Sequence, residues 1–398
     1  MEKLVERFII RMRGISPSFK RYLYNDIDWN NRLIAIKGSR GVGKTTLILQ
    51  FIKENFKIDS TVLYVSLDDI HFQAHSLVDV AEEFYKNGGK HLFLDEVHKY
   101  SNWSLELKNI YDNYQDLKIV FTASSILEIY KGDADLSRRA VSYELKGLSF
   151  REYLNLEKKA DISPFELTNI LENHLEIATE ITAGIKILPQ FKQYLKIGYY
   201  PFYKEGENAY YQKLNNIVNL ILETDITSIY RTEYQTILKL KKLMYVIATS
   251  VPFQPNITKL SEKIDTTSRS STLQYLDYLE KANLITNLKT SAKGNNYLVK
   301  PDKIYLENTN LMYALGNVIK EDGNIRETFF LNQVSQKSQV NTSKASDFLV
   351  NNKYTFEVGG KNKGKSQIEG HEDAYLASDN IEIGFGNKIP LWMFGMLY

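Results

Sequence analysis

The sequence predicts an α/β core with a parallel sheet buried between helices, followed by a helical region and a smaller α+β end. Three observations carry that prediction. Five short apolar runs alternate with helical patterns between residues 32 and 145. Both faces of those runs are mostly apolar, as in strands covered by helices on two sides. From about Phe150 the apolar residues recur at three-and-four spacing, and strand-like runs return only near the end.

The five runs are "RLIAI", "TVLYVSL", "HLFLDE", "KIVFTAS" and "AVSYEL", separated by helical stretches such as "TTLILQFIKENF" and "WSLELKNIYDNY". Residues 1–150 therefore form the first domain, and residues 151–233 a helical lid or linker region broken by Gly198 and Pro201. Residues 234–318 read helix, helix, turn, helix and short strands, and residues 319–398 open with the helix "RETFFLNQVSQKS" and continue with strands. The N-terminal "MEKLVERFIIRMRG" is expected to be a first helix packed on the core.

Composition excludes several functions. The 398 residues contain no Cys, so disulfides, thiolate zinc sites and a Cys nucleophile are ruled out. Lys plus Arg is 50 against 48 for Asp plus Glu, so any basic surface must be local. The first residues mix charges into their apolar positions, unlike a signal peptide, and no apolar run reaches the ~20 residues of a membrane span. A soluble cytoplasmic protein without a membrane partner is expected.

"GSRGVGKTT" follows the first strand and fits G-x-x-x-x-G-K-[ST], with a helix after it. Gly38, Ser39, Arg40, Gly41, Val42, Gly43, Lys44, Thr45 and Thr46 are the candidate phosphate-binding residues. Glycines let the backbone N–H groups turn toward an anion, and the new helix offers its positive end. Lys44 is placed for the β- and γ-phosphates and Thr45 for Mg²⁺. The strand "HLFLDEVHKY" ends in Asp95, suited to hold Mg²⁺, and Glu96, suited to polarise a water. Thr122, Ser124 and Ser125 end the next strand beside the expected phosphates, although either serine would serve equally as a helix cap. Arg138 and Arg139 in "DLSRRA" are either transition-state arginines, acting within one chain or between chains, or solvated surface residues.

"RGVGKTT", "LFLDEVHKY", "FTASSILEIY", "DLSRRA" and "LKGLSFREYL", in that order, resemble a prokaryotic family of AAA-type ATPases with a C-terminal domain of uncharacterised function. The resemblance is closest up to about Leu154. It implies an α/β P-loop ATPase core, ATP as nucleotide, and the roles above for Lys44, Thr45, Asp95 and Glu96.

"ITKLSEKI", a turn at Thr266 and Thr267, "SRSSTLQYLDYLEKANLI" and two strand-like runs resemble a winged helix-turn-helix. Its second helix would offer Arg269, Ser270, Gln274 and Tyr278 to DNA, with Lys289, Lys293 and Lys300 at phosphates. A packing module is the other outcome, because Asp277 and Glu280 lie on the same helix.

The last domain resembles the PD-(D/E)xK nuclease core. Glu327 on a helix, Asp347 at one strand and Glu357 on the next are the candidate metal carboxylates. Gly359 stands where the nuclease lysine belongs. Lys361 shares its parity and would substitute only if the strand ran on through the glycines. Active nuclease, nuclease-like binding frame and plain α+β domain all stay open. A second G-x-x-x-x-G-K-S match ending at Lys365 and Ser366 lacks a strong helix after it and is discounted. The expected whole is an ATP-driven switch with Mg²⁺, coupled to a DNA- or protein-binding module or to a nuclease, and a candidate homo-oligomer.

Overall fold

The computed structural model describes residues 1–398 apart from 125–135, 137, 251–253, 267, 291–299, 316–321, 365–369 and 371. Ser125, Thr267, Lys293, Lys365 and Ser366 lie outside the described residues. The chain divides into two compact units, Met1–Lys146 and Gly147–Tyr398.

In the first unit, helix α1 (Glu2–Arg13) and the short α2 (Leu23–Asp26) precede strand β1 (Leu33–Lys37). Then follow α3 (Lys44–Asn55), β2 (Val62–Ser66), α4 (Leu77–Lys86), β3 (His91–Asp95), α5 (Trp103–Asn113), β4 (Lys118–Ala123) and β5 (Val141–Glu144). The five strands make one sheet in the order β2-β3-β4-β1-β5, parallel throughout. Each of the five apolar runs is a strand. Ile34, Ala35, Ile36, Leu92, Leu94, Ile119 and Phe121 are fully buried, which is why the runs show no polar face. A parallel sheet brings all its carboxyl ends to one edge, where open α/β sheets place their ligands. Here β4 lies between β1 and β3, so the loop after β1 and the end of β3 are two strand spacings apart, about 10 Å.

The second unit begins with α6 (Phe150–Leu156), α7 (Leu167–Gly184), α8 (Ile187–Ile197) and α9 (Glu207–Leu220). A π-helical turn at Ile221–Asp225 leads into α10 (Ile226–Tyr230), followed by α11 (Tyr234–Ala248), α12 (Ile257–Lys263) and α13 (Arg269–Lys281). Strands β6 (Ile285–Leu288) and β7 (Lys303–Leu306) pair antiparallel. After α14 (Thr309–Leu315) and α15 (Asp322–Val334) comes a mixed sheet, β12-β11-β10-β9-β8. Its strands are β8 (Val340–Thr342), β9 (Phe348–Val350), β10 (Tyr354–Gly359), β11 (Ala374–Ser378) and β12 (Lys388–Pro390). Phe330 of α15 packs against the rings of Phe348, Phe356 and Phe394 at 4.8–5.2 Å.

The two ends of this unit close on each other. Ser149 Oγ and Arg151 Nε both donate to the Tyr398 carbonyl, and Phe165 N donates to Met396 O at 3.0 Å. A Cβ on Gly395 would press into Phe150 Cβ, so the approach requires glycine.

Asn310, fully buried, joins three segments of the unit. Its Oδ1 accepts from Tyr199 N at 2.9 Å and from the Tyr210 hydroxyl, and its Nδ2 donates to Leu195 O at 2.9 Å. A leucine at this position takes the buried acceptor away from Tyr199 N and from the Tyr210 hydroxyl proton. Asn310→Leu is expected to destabilise the second unit by about 3 kcal/mol, read as a lowered urea midpoint; an unchanged midpoint would contradict it.

Candidate functional site

The loop after β1 is shaped by backbone geometry. Gly41 and Gly43 have φ of 80° and 99°, a region that side chains disfavour. At Gly38 a Cβ would run into the Leu145 carbonyl oxygen. Gly43 is the N-cap of α3, and Lys44 is its first residue. The Lys44 ammonium is buried and donates to Gly38 O at 2.8 Å and Ser39 O at 3.0 Å. A buried ammonium ringed by loop backbone at a helix N-terminus fits a polyphosphate. Val42 is buried and Thr46 exposed. Arg21, 5% exposed, braces the loop from outside by donating to Val42 O and, at 2.7 Å, to Lys146 O.

At the end of β3, Asp95 is 2% exposed and accepts from three hydroxyls. Thr45 Oγ1 and Tyr64 Oη each donate to Oδ2 at 2.7 Å, and Thr122 Oγ1 donates to Oδ1. Neutral donors satisfy the carboxylate without cancelling its charge. That suits a cation ligand bound together with Thr45.

Glu96 has φ 53°, and its N–H donates to Thr122 Oγ1 at 2.9 Å. Its carboxylate lies 3.6 Å from Arg40 Nη1 and 3.4 Å from His98 Nε2. Ser124 is buried directly after β4. Arg138 is exposed, whereas Arg139 forms a two-pronged pair with Asp112 at 3.0 Å for each bond. To reach a phosphate, Arg139 would first have to leave Asp112. Tyr64 and Arg21 were missed at the sequence level. A tyrosine inside an otherwise apolar strand was the available signal for Tyr64, since a buried phenol needs a partner.

Residues 30–154 match the family model described as AAA domain. That match covers about a third of the chain. Residues 188–322 match a domain of unknown function, DUF8612. Two uncharacterized proteins of Methanocaldococcus jannaschii are similar over most of their length. MJ1637 is 28% identical over 93% of this chain and 83% of its own, and MJ1544 is 22% identical over 85% and 74%. Among solved structures, the Walker-type ATPase PABY2304 of Pyrococcus abyssi is 13% identical, covering 75% of this chain and 95% of that one, with a TM-score of 0.42. At that score the likeness decides nothing further. Among the described residues no helix is long and apolar enough to cross a membrane.

The matched segments do not include the C-terminal acids. In the second unit Glu327, Asp347 and Glu357 share one cluster with two lysines. Lys303 Nζ lies 3.6 Å from Glu327 and 3.7 Å from Asp347. Tyr305 Oη donates to Glu327 at 2.7 Å, and Val358 N donates to Asp347 at 2.9 Å. The lysine on Glu357 is Lys363, at 2.6 Å, not Lys361. Strand β10 stops at Gly359, so strand parity no longer governs Lys361, which is exposed while its carbonyl accepts from Lys388. No group of three His, Cys, Asp or Glu among the described residues is arranged to hold a metal.

On α13, Arg269, Ser270 and Gln274 are exposed. Tyr278 is a correction: it is buried, its ring stacked on Tyr230 at 3.9 Å. Glu280 is also turned inward, accepting from Asn287 N and Nδ2 at 3.0 and 2.9 Å.

Burial, and then the neighbouring Asp347, hold the Glu327 carboxyl above its ordinary range. A carboxyl raised on folding favours the fold at low pH, and that contribution is lost as pH rises through the folded value. Glu327→Gln is therefore expected to stabilise the second unit at pH 7. The gain should vanish below the ordinary glutamate range, as measured by urea melts from pH 3.5 to 7.5. A pH-independent difference would contradict this.

Proposed function

We propose that the AAA domain binds ATP in the loop Gly38–Thr46 and hydrolyses it, so that the chain works as a nucleotide-dependent switch. The observation that carries this is the meeting of Lys44, Thr45 and Asp95 at one sheet edge. Lys44 exchanges its two loop carbonyls for β- and γ-phosphate oxygens. Mg²⁺ entering with ATP would be held through Thr45 and Asp95 and would draw charge from the phosphates. Glu96 orients the attacking water and takes its proton as the bond from the γ-phosphorus to the ADP oxygen breaks. The Glu96–Thr122 bond fixes where that base stands. Ser124 lies at the end of β4 to meet the water or the γ-phosphate. Arg138, exposed on the surface, from this chain or from a second copy in a homo-oligomer, is the arginine assigned to offset the developing charge.

Lys44→Ala is expected to abolish ATP binding. Glu96→Gln should bind ATP normally and hydrolyse it about 100-fold more slowly or worse. Fluorescent-nucleotide titration and phosphate release check both, and wild-type hydrolysis by Lys44→Ala would sink the assignment.

The output of the switch is assigned to the second unit, with α12, α13, β6 and β7 acting as a winged helix on DNA. Its support is the exposed set Arg269, Ser270 and Gln274 at the start of α13. A second reading, metal-dependent cleavage, draws on the nearness of Glu327, Asp347 and Glu357, with Lys363 in the lysine role, and requires the three acids to rearrange around a metal. One experiment addresses both. Duplex DNA is incubated with wild type and Glu357→Ala in Mg²⁺ or Mn²⁺, with ADP or an ATP analogue, and scored for retention and cleavage. Retention that depends on nucleotide and falls with salt is expected. No retention at low salt in either nucleotide state ends the DNA assignment, and equal cleavage by both proteins ends the nuclease reading.

A further inference from the structure

Helix α1 lies before the segment matched by the AAA domain family, yet it reaches the nucleotide site. Leu4, Phe8 and Met12, four residues apart, form its buried stripe, and the helix packs on β2. That seating sets Phe8 beside the Tyr64 ring at 6.1 Å and places the Arg11 guanidinium 5.6 Å from the ring centre. Arg11 Nη1 donates to Tyr64 Oη at 3.0 Å. Tyr64 Oη donates in turn to Asp95 Oδ2 at 2.7 Å, the oxygen that also takes the Thr45 hydroxyl.

The direction of this chain is fixed. A guanidinium only donates, so Tyr64 must accept from Arg11 and has a single proton left, which goes to Asp95. The positive charge on Arg11 also polarises the phenol and strengthens that donation. The other two hydroxyls on Asp95 have further work. Thr122 accepts from the Glu96 N–H, and Thr45 stands at the phosphate loop. Tyr64, 2% exposed within β2, gives its one proton to Asp95 and is held in place by the sheet.

We propose that Tyr64 and Arg11 are positioning residues for the nucleotide site: they fix the plane of the Asp95 carboxylate so that it meets the cation carried by the nucleotide. This rests on the ATP reading above. It makes α1 a working part of the site, although the family match begins only at residue 30.

The test uses the full chain with a non-hydrolysable ATP analogue, reading Mn²⁺ affinity by electron paramagnetic resonance and nucleotide affinity in EDTA by fluorescence. Tyr64→Phe should weaken Mn²⁺ binding about tenfold while nucleotide binding in EDTA stays at the wild-type value. Arg11→Met should weaken it less. Because Arg11 acts through the Tyr64 hydroxyl, the double variant should be no weaker than Tyr64→Phe alone. Wild-type Mn²⁺ affinity in Tyr64→Phe overturns the proposal, as does an Arg11→Met loss that adds in full on the Tyr64→Phe background. If melting shows that Tyr64→Phe does not fold, Arg11→Met decides on its own, since Arg11 is exposed on α1. A wild-type chain that binds the analogue neither in EDTA nor with Mn²⁺ overturns the ATP reading itself, a result distinct from a failure of the two variants.

Discussion

A carboxylate at the buried end of an apolar strand must be fully hydrogen-bonded or its burial is costly. Asp95 is in that position, and the edge of the first sheet is arranged around it. Its three hydroxyls come from the first turn of α3, from β2 and from β4. The carboxylate thus ties together the strand neighbours on either side of β3 and the helix that follows the phosphate loop. Thr122 passes the constraint on to the Glu96 backbone. The position of the proposed base is consequently a property of the same network that holds the proposed cation ligand.

The two charged sites of the chain solve opposite problems. At Asp95 the donors are neutral, so the negative charge remains available to something that enters. In the C-terminal cluster the donors include ammonium groups, and Lys303 and Lys363 already offset much of the charge on Glu327, Asp347 and Glu357. Burial outweighs the ion pair at Glu357, whose carboxyl is raised despite Lys363. The first arrangement is the one proposed above to meet a cation. The second is largely self-compensated.

Local features of both sites were legible in the sequence. The loop from Gly38, the acid pair after an apolar strand and the five buried strands depend on residues close in sequence, and their spacing specifies their geometry. What escaped detection comes from afar. Arg11, Arg21 and Tyr64 reach the site from segments whose own patterns describe only a helix, a loop and a strand. Lys361 shows how a rule expires with its element: alternation holds on a strand, and β10 ends two residues too early. Tyr278 shows the complement, since helical spacing gives its direction on α13 but not the Tyr230 ring lying over it.

The closure of residues 149–151 onto residues 395–398 bears on how the chain is made. Unit one is complete at residue 146, and its sheet can assemble while translation continues. The opening segment of the second unit has no such option. Phe150 packs on Phe191 and Tyr194 and Arg151 bonds Ile162 O, but their remaining partners, Gly395 and Tyr398, come roughly 250 residues later in synthesis. At the ~5–20 residues per second of translation, that surface waits uncovered for some tens of seconds. Until then that face of α6 is open to a chaperone.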